Sequence, residues 1–66
     1  MRTDDIKKVA EKGFIVIRPS DEPRPCIKKW SRWKEDWIIS IDKFKDKDDR
    51  DKSLNELLKS NNIILD

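Results

Sequence analysis

Three tryptophans, Trp30, Trp33 and Trp37, stand within eight positions and are interleaved with Lys28, Lys29, Arg32 and Lys34. Indole rings beside cations suit recognition rather than bond-making. An indole stacks on an unpaired base or anchors in a protein pocket, while lysine and arginine meet phosphates or carboxylates. Groups that make and break bonds are scarce. The chain has no histidine, which removes the commonest general base and a leading zinc ligand. Cys26 is the lone cysteine. It cannot complete a tetrahedral zinc site, and as a nucleophile it has only lysine or carboxylate bases to call on. It reads as a small apolar residue. One glycine in the chain excludes a glycine-rich phosphate loop.

The run Asp46-Lys47-Asp48-Asp49-Arg50-Asp51 invites a calcium reading, but its spacing fails. Counted from Asp46, the fifth loop position is Arg50, the sixth is Asp51 where glycine is needed, and the twelfth is Leu57 rather than glutamate. The run reads instead as a solvated helix start, with Asp46, Asp48 and Asp49 as a secondary acidic edge for docking. No metal, cofactor or catalytic residue is expected, and the chain reads as non-enzymatic.

The 66 residues make one small domain, 1–66. A chain of this length buries only about 60% of the surface its unfolded state exposes. Charged residues reach 45% and hydrophobic ones 35%, yet the apolar residues are clustered, as in a folded unit. A single cysteine points to a reducing compartment. The opening Met1-Arg2-Thr3-Asp4-Asp5 lacks an apolar leader core, and the apolar runs fall far short of the ~20 residues that cross a bilayer. The expected location is cytoplasmic, away from membranes. Net charge is only +2, but it is segregated. Residues 18–34 carry six basic side chains against two acidic, and residues 35–51 carry seven acidic against four basic. Such a dipolar surface suits oriented docking.

These side chains need a frame. Thr3 as N-cap, Asp4 and Asp5 in the first turn, Ile6, Val9 and Ala10 at helical spacing and Gly13 as stop predict a helix over 4–12. Phe14-Ile15-Val16-Ile17, bounded by Pro19, predicts a strand. Pro19, Pro23 and Pro25 form no P-x-x-P ligand and stiffen a loop. Residues 27–44 carry two patterns. Ile27, Trp30, Trp33, Trp37, Ile38, Ile41 and Phe44 fit a helical stripe, whereas Trp37 to Ile41 has strand propensity and Ile39 falls off the stripe. The period alone does not separate the two. Two strands, 26–33 and 37–42, joined through Lys34-Glu35-Asp36, are preferred. Asp46 or Asp48 then caps a second helix with Leu54, Leu57 and Leu58 on its apolar face. Ser53 and Glu56 also match a capping box. This helix is expected to end near Asn61 or Asn62, before Ile63-Ile64-Leu65. Val9 to Ile17 and Leu57 to Leu65 echo one another: helix end, left-handed stop, apolar strand.

The expected fold is α+β of order αβββα: a three-stranded antiparallel sheet with two helices on one face and a short fourth strand at 63–65. In the preferred hairpin Trp33 lies opposite Trp37, and both belong to the core. Trp30 is left on the open face between Lys28 and Arg32, with Ile38 nearby, as the candidate anchor. Lys29 and Lys34 complete the basic surface.

This order of elements resembles the small αβββα domains of HicA-type toxins, which are similar to double-stranded-RNA-binding domains. The resemblance lies in Ile6-Lys7-Lys8-Val9-Ala10-Glu11-Lys12-Gly13-Phe14-Ile15-Val16-Ile17-Arg18 and in the closing Leu54 to Ile63 segment. That family's ribonuclease activity rests on a histidine in the middle strand. This chain has none, so no catalytic role carries over. The architecture also resembles small phage-encoded inhibitors, including anti-CRISPR proteins. That implies a protein that docks on a larger host protein or nucleoprotein and inhibits or modulates it. The alternative is a small RNA- or DNA-binding domain using the tryptophan-bearing basic face. An open face of this kind also suits a homodimer.

Overall fold

A computed structural model describes residues 2–66. The first helix, α1, spans Thr3–Glu11 and buries Ile6 and Ala10, four residues apart on one face. Asp4 and Asp5 occupy its first turn, where the positive end of the helix dipole favours them. Thr3 is not the cap. That position falls to Arg2, whose side chain makes no capping bond. Gly13, at φ +96°, ends the helix in a conformation only glycine adopts freely, and its N–H donates to the Ala10 carbonyl at 3.0 Å.

Strand β1 covers Ile15–Ser20, β2 Cys26–Ser31, β3 Asp36–Ile41 and β4 Ile63–Leu65. The sheet order is β3-β2-β1-β4. The three antiparallel strands and the short fourth strand match expectation, but β4 joins parallel to β1, so the sheet is mixed. Strand β1 also runs through Pro19, which pairs with Ile27. Proline is tolerated there because β4 ends opposite Ile17. Beyond that point β1 has a neighbour on one side only, and the missing N–H removes no ladder bond on the β4 side.

The two helices lie on opposite faces of the sheet, not on one. Neighbours along a strand point to opposite faces. Val16 and Ile17 are nonetheless 1% and 3% exposed, and Cys26 and Ile27 are both at 0%. Both faces are therefore covered. Helix α2, Lys47–Leu57, brings Leu54 onto Ile17 and Ile27, with Phe44, Leu57, Leu58 and Ile63 packed around them. Fully burying an aliphatic side chain such as Ile17, Ile27 or Leu54 is worth about 1.5–3 kcal/mol. Helix α1 packs against β1 on the other face, where Lys7, Ala10 and Glu11 line a shallow groove together with Trp30.

The Asp46 side chain caps α2, accepting from the Asp49 N–H at 2.9 Å. The helix stops at Leu57 rather than near Asn61, and Ser53 and Glu56 lie within it rather than at its start. The chain then turns into β4. Strands β1 and β4 pair as Ile15 with Ile63, Val16 with Ile64 and Ile17 with Leu65. This is the same 48-residue offset at which the two helix–strand segments echo one another in sequence.

Candidate binding surface

The β2–β3 hairpin decides where the tryptophans go. Its last pair is Ser31 with Asp36, leaving Arg32, Trp33, Lys34 and Glu35 as the loop. The turn is held locally. Ser31 Oγ accepts from the Lys34 N–H at 3.2 Å, Asp36 Oδ1 accepts from the Trp37 N–H at 2.7 Å, and Glu35 takes φ 50°. Short polar side chains favour turns for this reason. The expected hairpin set Trp33 opposite Trp37, whereas Trp30 pairs with Trp37. The slip is three residues, an odd number, and an odd slip exchanges the two faces of a strand.

Three corrections follow. Trp33 is not core: it is 98% exposed, at the hairpin tip between the exposed Arg32 and Lys34. Trp30 is not alone on an open face. It is half-buried and meets Trp37 edge-to-face, with centroids 5.6 Å apart and planes at 78°, an arrangement the aromatic quadrupole favours. Ile38 is not beside Trp30: it pairs with Lys29 and so lies on the α2 face. The expected basic set therefore divides. Lys28 and Trp30 lie on the α1 face, Lys29 and Ile38 on the α2 face, and Arg32 and Lys34 in the loop.

The surroundings of the pair are well anchored. The Arg18 guanidinium sits 4.2 Å from the Trp37 ring centroid, within cation–π range. Its Nε donates to Asp66 Oδ2 at 3.0 Å, and its Nη2 contacts the same oxygen. Arg18 holds the Asp66 carboxyl below its usual pKa against the opposing effect of burial. A shallow groove between α1 and the hairpin is lined by Lys7, Ala10, Glu11, Trp30, Arg32 and Glu35. Across it, Lys7 Nζ lies 3.5 Å from Glu35 Oε2, which offsets the one acidic side chain in the loop.

The acidic residues serve α2. Asp46 is the cap, Asp49 Oδ2 accepts from the Lys45 N–H at 3.2 Å, and Asp48 is exposed in the first turn. Among the described residues no group of three or more histidine, cysteine or acidic side chains is placed to hold a metal ion. Cys26 is fully buried, its Sγ 3.5 Å from the Glu22 carbonyl, so its thiol is closed to substrates. Arg50, in sequence part of a run that reads as solvated, is 7% exposed. Its Nη1 donates to the Ser20 carbonyl at 2.8 Å and to Asp21 Oδ1 at 2.6 Å, and its Nε to Asp51 Oδ1 at 3.1 Å. Asp21 is held below its usual pKa chiefly by Arg50, then by Lys47. This is structural work: it fastens the start of α2 to the end of β1.

Among the described residues no helix is long and apolar enough to cross a membrane. Comparison with known families, with curated proteins and with solved structures finds no match to this chain. None of these comparisons ties the chain to HicA-type domains or to phage inhibitors.

Proposed function

We propose that this protein acts by binding rather than catalysis: it docks on a larger macromolecule through the β2–β3 hairpin tip and modulates it by covering its surface. One observation carries the reading. Trp33 is 98% exposed at the end of a side-chain-braced hairpin, so its apolar surface contributes nothing to the fold. Tryptophan and arginine lead interface hot spots, and here Arg32 adjoins Trp33. The preferred partner is a protein or nucleoprotein with an acidic-rimmed pocket. Trp33 would fill that pocket, with Arg32, Lys34 and Lys29 meeting its rim.

The test is recovery of partners from a cell lysate on immobilised wild type and on Trp33→Ala. Partners retained by wild type and lost with Trp33→Ala support the reading. Equal recovery would sink it.

The Lys7–Glu35 contact favours a second reading, in which Trp33 stacks on an unpaired base and Arg32 and Lys34 meet phosphates. Stacking contributes about 1–3 kcal/mol per base. Titration of labelled single-stranded oligonucleotides at several salt concentrations separates the two. Affinity falling steeply with salt and lost in Trp33→Ala supports nucleic acid. No binding at low salt rejects it.

A further inference from the structure

Strand β3 lies at the end of the sheet and has a strand neighbour on one side only. Natural edge strands are usually blunted by lysine, proline or brevity. Here Trp37-Ile38-Ile39-Ser40-Ile41 carries neither charge nor proline, and the strand runs six residues. Ile39 and Ile41 are 43% and 36% exposed. The other edge, β4, is three residues long. The Trp37 N–H donates to the Asp36 carboxylate at 2.7 Å, a local bond that a neighbouring strand's carbonyl can replace. A register shift in the β2–β3 ladder leaves Ser40 unpaired between Ile39 and Ile41. Such a bulge bends its strand, so the flat part of the edge is Asp36 to Ile39.

We infer that this edge pairs with a second copy of itself, two β3 strands meeting antiparallel about a two-fold axis at Ile38. Charge and shape select that occupant and that register. Opposed side chains must share a face, so the axis passes through a residue rather than between two. An axis at Ile39 would carry the pairing into the bulge, setting Ile38 against Ser40 and Trp37 against Ile41 of the second copy. An axis at Ile38 keeps the pairing within the flat part of the edge and sets Trp37 against Ile39 of the second copy, twice over. Aromatic against β-branched is a favourable cross-strand pair. The two sheets become one of eight strands. The contact is short, well below the ~1,200 Å² at which stable interfaces begin, so the dimer is concentration-dependent. It stands independently of the hairpin-tip reading.

Sedimentation equilibrium over rising concentration tests it. The expected result is a reversible shift from 7.9 kDa to twice that mass, with amide exchange at Trp37 and Ile39 slowing as dimer accumulates. Ile39→Lys, at an exposed site, should weaken association tenfold or more, and Trp33→Ala should leave it unchanged. Ile38→Cys should form an intermolecular disulfide under mild oxidation, because Ile38 opposes itself. A monomer at every concentration would overturn the inference. So would an association that Ile39→Lys leaves intact, or open-ended growth in place of a discrete dimer. Should Ile39→Lys fail to fold, unchanged exchange at Trp37 and Ile39 in concentrated wild type would overturn it equally.

Discussion

Replacing Arg50 by alanine tests how the start of α2 is tied to the sheet. In the folded chain the Arg50 side chain is 9% exposed, and its three polar contacts differ in weight. The bond to the Ser20 carbonyl at 2.8 Å satisfies a backbone acceptor. Leaving such a group unpaired costs about 1–3 kcal/mol. The ion pairs to Asp21 and Asp51 add less, because those carboxylates are 52% and 53% exposed and water takes over as their partner. The expected loss is about 2 kcal/mol, with the Ser20 carbonyl as its main source. For a domain of this size that lowers the melting temperature by roughly 10 °C. Thermal unfolding followed by circular dichroism reads it directly. Asp21→Asn should cost far less, since it leaves the Ser20 bond in place. The reasoning fails if Arg50→Ala melts within a degree or two of wild type, or if Asp21→Asn is the more damaging change.

Asp46→Ala removes the cap of α2 and should lower stability by about 1 kcal/mol in chemical denaturation. Gly13→Ala meets nothing within 4 Å of the added methyl but must hold φ +96°. It should destabilise by about 1 kcal/mol through backbone strain alone, and an unchanged denaturation midpoint would contradict the left-handed stop. Asp21 and Asp66 both have depressed pKa values in the folded state. Their contribution is therefore fully present above the ordinary carboxylate pKa and is lost as pH falls below about 4. Arg18→Gln should flatten the acid limb of a stability–pH curve while leaving its neutral part comparatively level.

Much of the frame was readable from local chemistry. Gly13, the apolar spacing of Ile6 and Ala10, the Asp46 cap and the Ile63 to Leu65 strand are each set by residues close in sequence. Tertiary features overrode the rest. A proline boundary at Pro19 was reasonable until β4 proved too short to reach it. Element order alone leaves both helices free to share one face, but the consecutive runs Val16-Ile17 and Cys26-Ile27 carry the pattern of a sheet covered on both sides. The register of the hairpin is the least legible feature in the sequence. Spacing alone allowed Trp33 to face Trp37, and the turn-forming Ser31 and Asp36 flanking Arg32 to Glu35 were the signal for a longer loop. That slip moves the proposed anchor from Trp30 to Trp33. Arg50 was hidden because a charged residue in an acidic run reads as solvated, and its burial depends on a carbonyl 30 positions away.

On the proposed reading Trp33 serves binding and not folding, and one variant reports on both properties. Trp33→Ala should melt at the wild-type temperature, since the side chain is 98% exposed, and should lose the macromolecular partners that wild type retains from lysate. A variant that melts markedly lower, or that keeps every partner at wild-type strength, would contradict the account.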